Sequence, residues 1–194
     1  MISGVVLAAG EGRRFGGTKQ LAMVGGKPLA QYALDALAAA DVGEILVVTG
    51  HDADAVEDAL TLPAIGRFVR NPGYRDGQSA SLAVALHAIA DDSEAAVVLM
   101  ADQPGVSTEA IDALIGGFRR TRQPIVRLIY DGGPGPALLS REIYAEAGHL
   151  HGDTGARVVM ASHPEWIHEV RVMGAAPRDV DEPADLPVEP PART

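Results

Sequence analysis

The chain has 194 residues, 47% hydrophobic and 22% charged, which suits one domain with a sizeable core. A formal net charge of −10 argues against a general nucleic-acid binder, and the lack of cysteine excludes disulfides, thiolate chemistry and Cys-ligated metals. No run of about 18 apolar residues occurs, so no membrane span is expected. The first residues read directly as a strand, without a charged segment, apolar stretch and cleavage site, so a cytoplasmic protein is expected.

The first predicted strand, Gly4–Ala8, runs into a loop, so that Val5 to Lys19 reads VVLAAGEGRRFGGTK. Gly10, Gly12, Gly16 and Gly17 allow tight turns and close approach of backbone to a ligand. Arg13, Arg14 and Lys19 add cations, so backbone N–H groups and positive side chains can surround a polyphosphate. The alternative is a plain Gly-rich turn joining a strand to the next element. The spacing G-x-G-x-x-x-G misses the Rossmann fingerprint by one residue, and no Gly-Lys-Ser/Thr closes a P-loop.

A helix is predicted over Pro28–Ala40, where Leu29, Tyr32, Ala33, Ala36, Leu37 and Ala40 recur at helical spacing. A strand at Glu44–Thr49, a helix at Ala53–Leu60 and a strand at Arg67–Arg70 follow. The segment from Asn71 to Leu82 is read as a turn that enters a helix over Ser79–Ala90 with Ser79 as N-cap, or functionally as Ser81 and nearby amides set against a base or ribose at the helix start. The strand Ala95–Met100 (AAVVLM) is apolar on both faces, as in a parallel sheet covered on both sides. A helix at Thr108–Arg120, capped by Ser107 or Thr108, precedes a strand at Ile125–Tyr130.

Beyond residue 131 the pattern loosens into a Gly/Pro loop at Gly132–Pro136, short helices at Arg141–Gly148 and Gly155–Ser162, and edge strands at Ile167–Val172 and Arg178–Asp181. Residues 1–186 are expected to form the domain, and the Pro-rich residues 187–194 a disordered tail. Alternating β and α implies one doubly wound, three-layer αβα domain with a mostly parallel central sheet. Ligands of such folds sit at the carboxyl ends of the strands, where Leu7–Gly10 and Asp102 both fall.

Asp102, just beyond the most apolar strand, reads as an oxygen ligand for Mg²⁺ or as a turn cap. Asp181 reads as a second metal ligand or as part of a solvated turn. His149, His151 and Asp153 have metal-capable side chains, but Asp153 is read as a helix cap facing the acceptor. No Ser/His/Asp order or activated nucleophile is present.

LAAGEGRRFGGTKQL resembles the leading signature of nucleotidyltransferases with a glycosyltransferase-A-like fold. NPGYRDGQSASL, ADQP, GDTGAR and DVDEPADL resemble, in order, later motifs of the molybdenum-cofactor cytidylyltransferases, relatives of molybdopterin guanylyltransferase. The resemblance implies that Leu7, Ala8, Ala9, Gly10 and Gly12 contact the nucleotide through backbone. It further implies that Arg13 or Arg14 and Lys19 bind phosphates, Ser81 lies near base or ribose, and Asp102 binds Mg²⁺. Asp153 and Asp181 match family carboxylates. Pro134, Gly135 and Pro136 stand on the acceptor side, where family members often carry Gly-His-Pro or Gly-Asn-Pro. Ala9, in place of the glycine of the guanylyltransferases, favours CTP over GTP.

The implied reaction is Mg²⁺-dependent transfer of NMP from an NTP to a phosphate monoester, the molybdopterin class, with release of pyrophosphate and contact with a recipient molybdoenzyme. A sugar-phosphate nucleotidyltransferase and a non-catalytic nucleotide-binding or chaperone-like module for a molybdoenzyme are the alternatives. The glycine spacing, and Thr49-Gly50-His51 in place of an acidic residue closing the second strand, oppose a nicotinamide-dependent oxidoreductase.

Overall fold

In the computed structural model, residues 1–148, 152 and 156–187 are described; His149, His151 and Asp153 of the sequence reading and residues 188–194 lie outside them. The elements in chain order are β1 (Ile2–Leu7), β2 (Met23–Val24), β3 (Lys27–Pro28), α1 (Leu29–Ala38), β4 (Glu44–Thr49), α2 (Ala53–Ala59), β5 (Gly66–Arg70) and α3 (Gln78–Ala88). They continue with β6 (Ala95–Met100), α4 (Thr108–Thr121), β7 (Ile125–Tyr130), β8 (Gly133–Ser140), α5 (Tyr144–Gly148), α6 (Arg157–Ser162) and β9 (Ile167–Arg171).

Seven strands form one sheet in the order β5-β4-β1-β6-β8-β7-β9, and β2 and β3 form a separate small hairpin. All run in one direction except β8, which is antiparallel to both β6 and β7. Alternate side chains of one strand enter opposite cores: Val6 joins a cluster with Leu34, Leu37, Ile111 and Leu114 of α1 and α4. Its neighbours Val5 and Leu7 join a second cluster with Leu82 and Leu86 of α3. Two-sided burial of a period-two strand is what makes three layers.

Three local expectations are corrected. Gly132–Pro136 is not a loop throughout, since β8 begins at Gly133. Its Gly/Pro half pairs only with β7, beside a register shift between Arg127 and Ile129; pairing with β6 begins at Ala137. A strand half with one neighbour tolerates prolines that a central strand would reject. Arg178–Asp181 is not a strand; it is irregular chain held to the sheet end by Val180 N–H donating to the Asp102 carbonyl at 2.9 Å. Ser79 lies inside α3, whose N-cap is Gly77 at φ 99°. At α4 the sequence reading holds: Ser107 is the N-cap, its hydroxyl accepting from Ala110 N–H at 3.3 Å.

Candidate active site

The parallel pairing of β1 with β6 places Leu7 opposite Met100, so both strands deliver their following loops to the same sheet end. Ala101 N–H donates to the Leu7 carbonyl at 3.1 Å, and Ala8 N–H to the Val48 carbonyl at 2.9 Å. These bonds carry the extended chain past the strand ends before the loops diverge.

The glycine loop then folds on itself. Gly12 has φ 62°, and the N–H of Gly16 donates to its carbonyl at 3.0 Å. A Cβ on Gly12 would lie 2.1 Å from the Gly17 carbonyl oxygen, so no other residue fits this turn. Gln20 braces the loop from below, its amide donating to the carbonyls of Ala8 at 2.9 Å and Gly10 at 2.7 Å. Nothing in the sequence marks Gln20, because an amide beside Lys19 carries no chemical signature of its own.

Two adjoining hollows share Leu7, Gly10, Gly12, Arg13, Gln78 and Met100 in their walls. One, of about 300 Å³, extends toward Ala9, Tyr74, Arg75 and Ser81. The other, of about 430 Å³, extends toward Arg14, Lys19, Asp102 and Asp181. Ser81 is buried and its hydroxyl accepts from the Asn71 amide at 3.0 Å.

Lys19 is the hub of the second hollow. Its Nζ donates to Asp102 Oδ2 at 2.5 Å and to Asp181 Oδ1 at 3.3 Å, and Arg14 meets the other oxygen of Asp181 at 3.0 Å. Asp181 reaches this position because Val180 is buried against Val24 and Leu29 and bonded to the Asp102 backbone. Asp185 fixes the next turn by accepting from Asp181 N–H at 3.0 Å and Glu182 N–H at 2.8 Å.

Burial raises the Asp102 carboxyl above the ordinary aspartate range, against the pull of Lys19. Burial also works against the Lys19 ammonium, but its bonds to Asp102 and Asp181 outweigh that, and its affinity for the proton rises. Asp102 Oδ1 is buried and has no hydrogen-bond partner. An anionic oxygen without a donor is costly unless a cation completes it. Among the described residues no three metal-ligating side chains gather. Two carboxylates suit Mg²⁺, which keeps waters and takes its other ligands from phosphates.

Of the residues singled out in the sequence, the structure gathers Leu7, Ala9, Gly10, Gly12, Arg13, Arg14, Lys19, Ser81, Asp102 and Asp181 around these hollows. Ala8 is buried behind the loop, its carbonyl taken by Gln20. Gly135 and Pro136 lie in β8 and line neither hollow; Gly135 is required because a Cβ there would be 2.5 Å from the Tyr130 ring. Among the described residues no helix is long and apolar enough to cross a membrane.

Rv0371c from Mycobacterium tuberculosis H37Rv, solved in complex with manganese, superposes with a TM-score of 0.80 at 30% identity over 95% of each chain. The nicotine blue oxidoreductase of Paenarthrobacter nicotinovorans is 31% identical over 176 residues, 86% of this chain and 84% of that protein. Bifunctional protein GlmU of Sorangium cellulosum is 32% identical over 89% of this chain, which spans only 36% of that longer protein. A profile of the MobA-like NTP transferase domain matches residues 4–167. The chain is therefore a member of the MobA-like NTP transferase family, a single α/β nucleotidyltransferase domain built on a mostly parallel seven-stranded sheet.

Proposed function

We propose that this protein transfers NMP from an NTP, with CTP favoured, to a phosphate monoester of the molybdopterin class. The observation that carries the reading is the convergence of Lys19, Asp102 and Asp181 in one hollow, with an oxygen of Asp102 buried and unpartnered. An acceptor phosphate oxygen attacks the α-phosphorus, the bond from that phosphorus to the bridging oxygen breaks, and pyrophosphate leaves with the electron pair. The nucleophile is already anionic, so positioning and charge stabilisation do most of the work.

Asp102 and Asp181 would hold Mg²⁺, and solution of a 30% identical relative with manganese supports a divalent cation here. When bound, the ion would supply positive charge that stabilises the phosphate groups. Lys19 would shift from the carboxylates toward the leaving pyrophosphate, while the backbone from Leu7 to Gly12 lies along the nucleotide. Arg13 and Arg14 would bind phosphates and Ser81 would meet base or ribose. The family resemblance would put Gly135, Pro136 and Asp153 on the acceptor side, and the product would pass to a recipient molybdoenzyme. Ala9 supports CTP over GTP through the family resemblance.

The test is a screen of CTP, GTP, ATP and UTP against molybdopterin and sugar phosphates with Mg²⁺, read as released pyrophosphate. Molybdopterin-dependent release with CTP is expected, and release only with a sugar phosphate reassigns the acceptor. The relative named as an oxidoreductase motivates a second reading, redox chemistry on the same scaffold. Its signature would be a nicotinamide absorbance change with no pyrophosphate.

A further inference from the structure

The loop after β1 holds a carboxylate among its cations. Glu11 Oε2 accepts from Arg13 Nε at 2.5 Å, and Oε1 accepts from Arg75 Nε at 3.1 Å. Arg13 belongs to the glycine loop, whereas Arg75 belongs to the turn Tyr74–Asp76 that leads into α3. Both arginines line the nucleotide-side hollow, so one carboxylate ties its two walls together.

Stability does not account for this arrangement. The side chains of Arg13 and Arg75 are 80% and 70% exposed, and exposed ion pairs add little to folding. Each arginine meets Glu11 through Nε, which leaves the Nη edge of each guanidinium clear of that contact. With Nε taken, that edge still offers phosphate an end-on fork of two N–H donors. Arg75 is also steadied from its other side, with its guanidinium 5.3 Å from the Tyr74 ring centroid. Tyr74 in turn packs closely on Gly50, where an added Cβ would lie 2.6 Å from the Tyr74 Cβ. The Asn71 side chain adds to this by accepting from Gly73 N–H at 2.9 Å. Hydrogen bonds from Arg75 and Arg13 hold the Glu11 carboxyl below the usual range, so it stays anionic at neutral pH.

We propose that Arg75 is a phosphate-binding residue that forms, with Arg13, a paired guanidinium grip on a triphosphate, and that Glu11 is the positioning residue that aims both. The assignment rests on the nucleotidyltransferase reading for its ligand, but concerns binding rather than the transfer step. A carboxylate so placed repels phosphate, yet without it two long side chains would have to be ordered on binding. Ordering outweighs a repulsion that solvent screens.

Calorimetric titration of the full chain with inorganic tripolyphosphate, and separately with cytidine, tests this. Arg75→Ala should weaken tripolyphosphate about tenfold or more, the loss of a charge-assisted contact, and leave cytidine unchanged. Arg75→Lys should recover only part, since an ammonium lacks the fork. Glu11→Gln should weaken tripolyphosphate about threefold to tenfold, although it removes a negative charge. Unchanged tripolyphosphate binding by Arg75→Ala, or no binding by the wild type, overturns the phosphate role. Tighter binding by Glu11→Gln overturns the positioning role and makes Glu11 a competitor of the ligand. Tripolyphosphate binding that follows these expectations without turnover on any NTP and acceptor pair removes the transfer reaction and keeps this assignment.

Discussion

Two carboxylates at opposite ends of the sheet, Glu44 and Asp102, differ in completion rather than in exposure. Glu44 opens β4 and its side chain is 12% exposed; Asp102 follows β6 and is 13% exposed. Glu44 Oε1 accepts from the Ser3 hydroxyl at 2.7 Å and Ala90 N–H at 2.8 Å, and Arg67 meets Oε2 at 3.5 Å. Asp102 spends one oxygen on Lys19 and leaves the other buried without a donor. Equal burial with unequal satisfaction separates a carboxylate completed by the fold from one left open on one oxygen, where the proposed cation would sit.

The comparison can be broken by removing each side chain in turn. Asp102→Ala should fold with an unchanged circular dichroism spectrum and lose more than about a hundredfold in kcat for pyrophosphate release. Near wild-type turnover in that variant would take Asp102 out of the reaction. Chelation with EDTA should suppress wild-type turnover to background, and added Mg²⁺ or Mn²⁺ should restore it. Activity that persists in chelator speaks against a cation between these aspartates.

Lys19→Ala should lower kcat/KM by about tenfold to a hundredfold, the loss of about 1.5–3 kcal/mol of charge-assisted bonding. Glu44→Ala moves the other way in character: about 1–3 kcal/mol of stability should go, because Ser3 and Ala90 lose their shared acceptor. Its kcat should stay at the wild-type value, and a matching fall in kcat with unchanged Tm would erase the contrast.

Much of this was legible in the sequence, for identifiable reasons. β4, β6 and β7 have the bounds that the sequence predicts, since each is a β-rich run dominated by buried apolar residues. The convergence of the glycine loop with Asp102 followed from strand ends alone. The strand β8 was hidden because Pro134 and Pro136 argue against a strand, and only pairing on one side makes them acceptable. Gln20 and Arg75 escaped notice because their importance lies in what they touch, the Ala8 and Gly10 carbonyls and Glu11, not in their residue type. The approach of Asp181 to Lys19 depends on the burial of Val180, a contact that no local pattern encodes.

The position of Asp181, 162 residues after Lys19, has a consequence for biosynthesis. The glycine loop and both strands of the β1–β6 pair precede Val180 in the chain. Lys19 and Asp102 are therefore both synthesised before Asp181, and the pocket's two acidic walls come from stretches of chain made at different times.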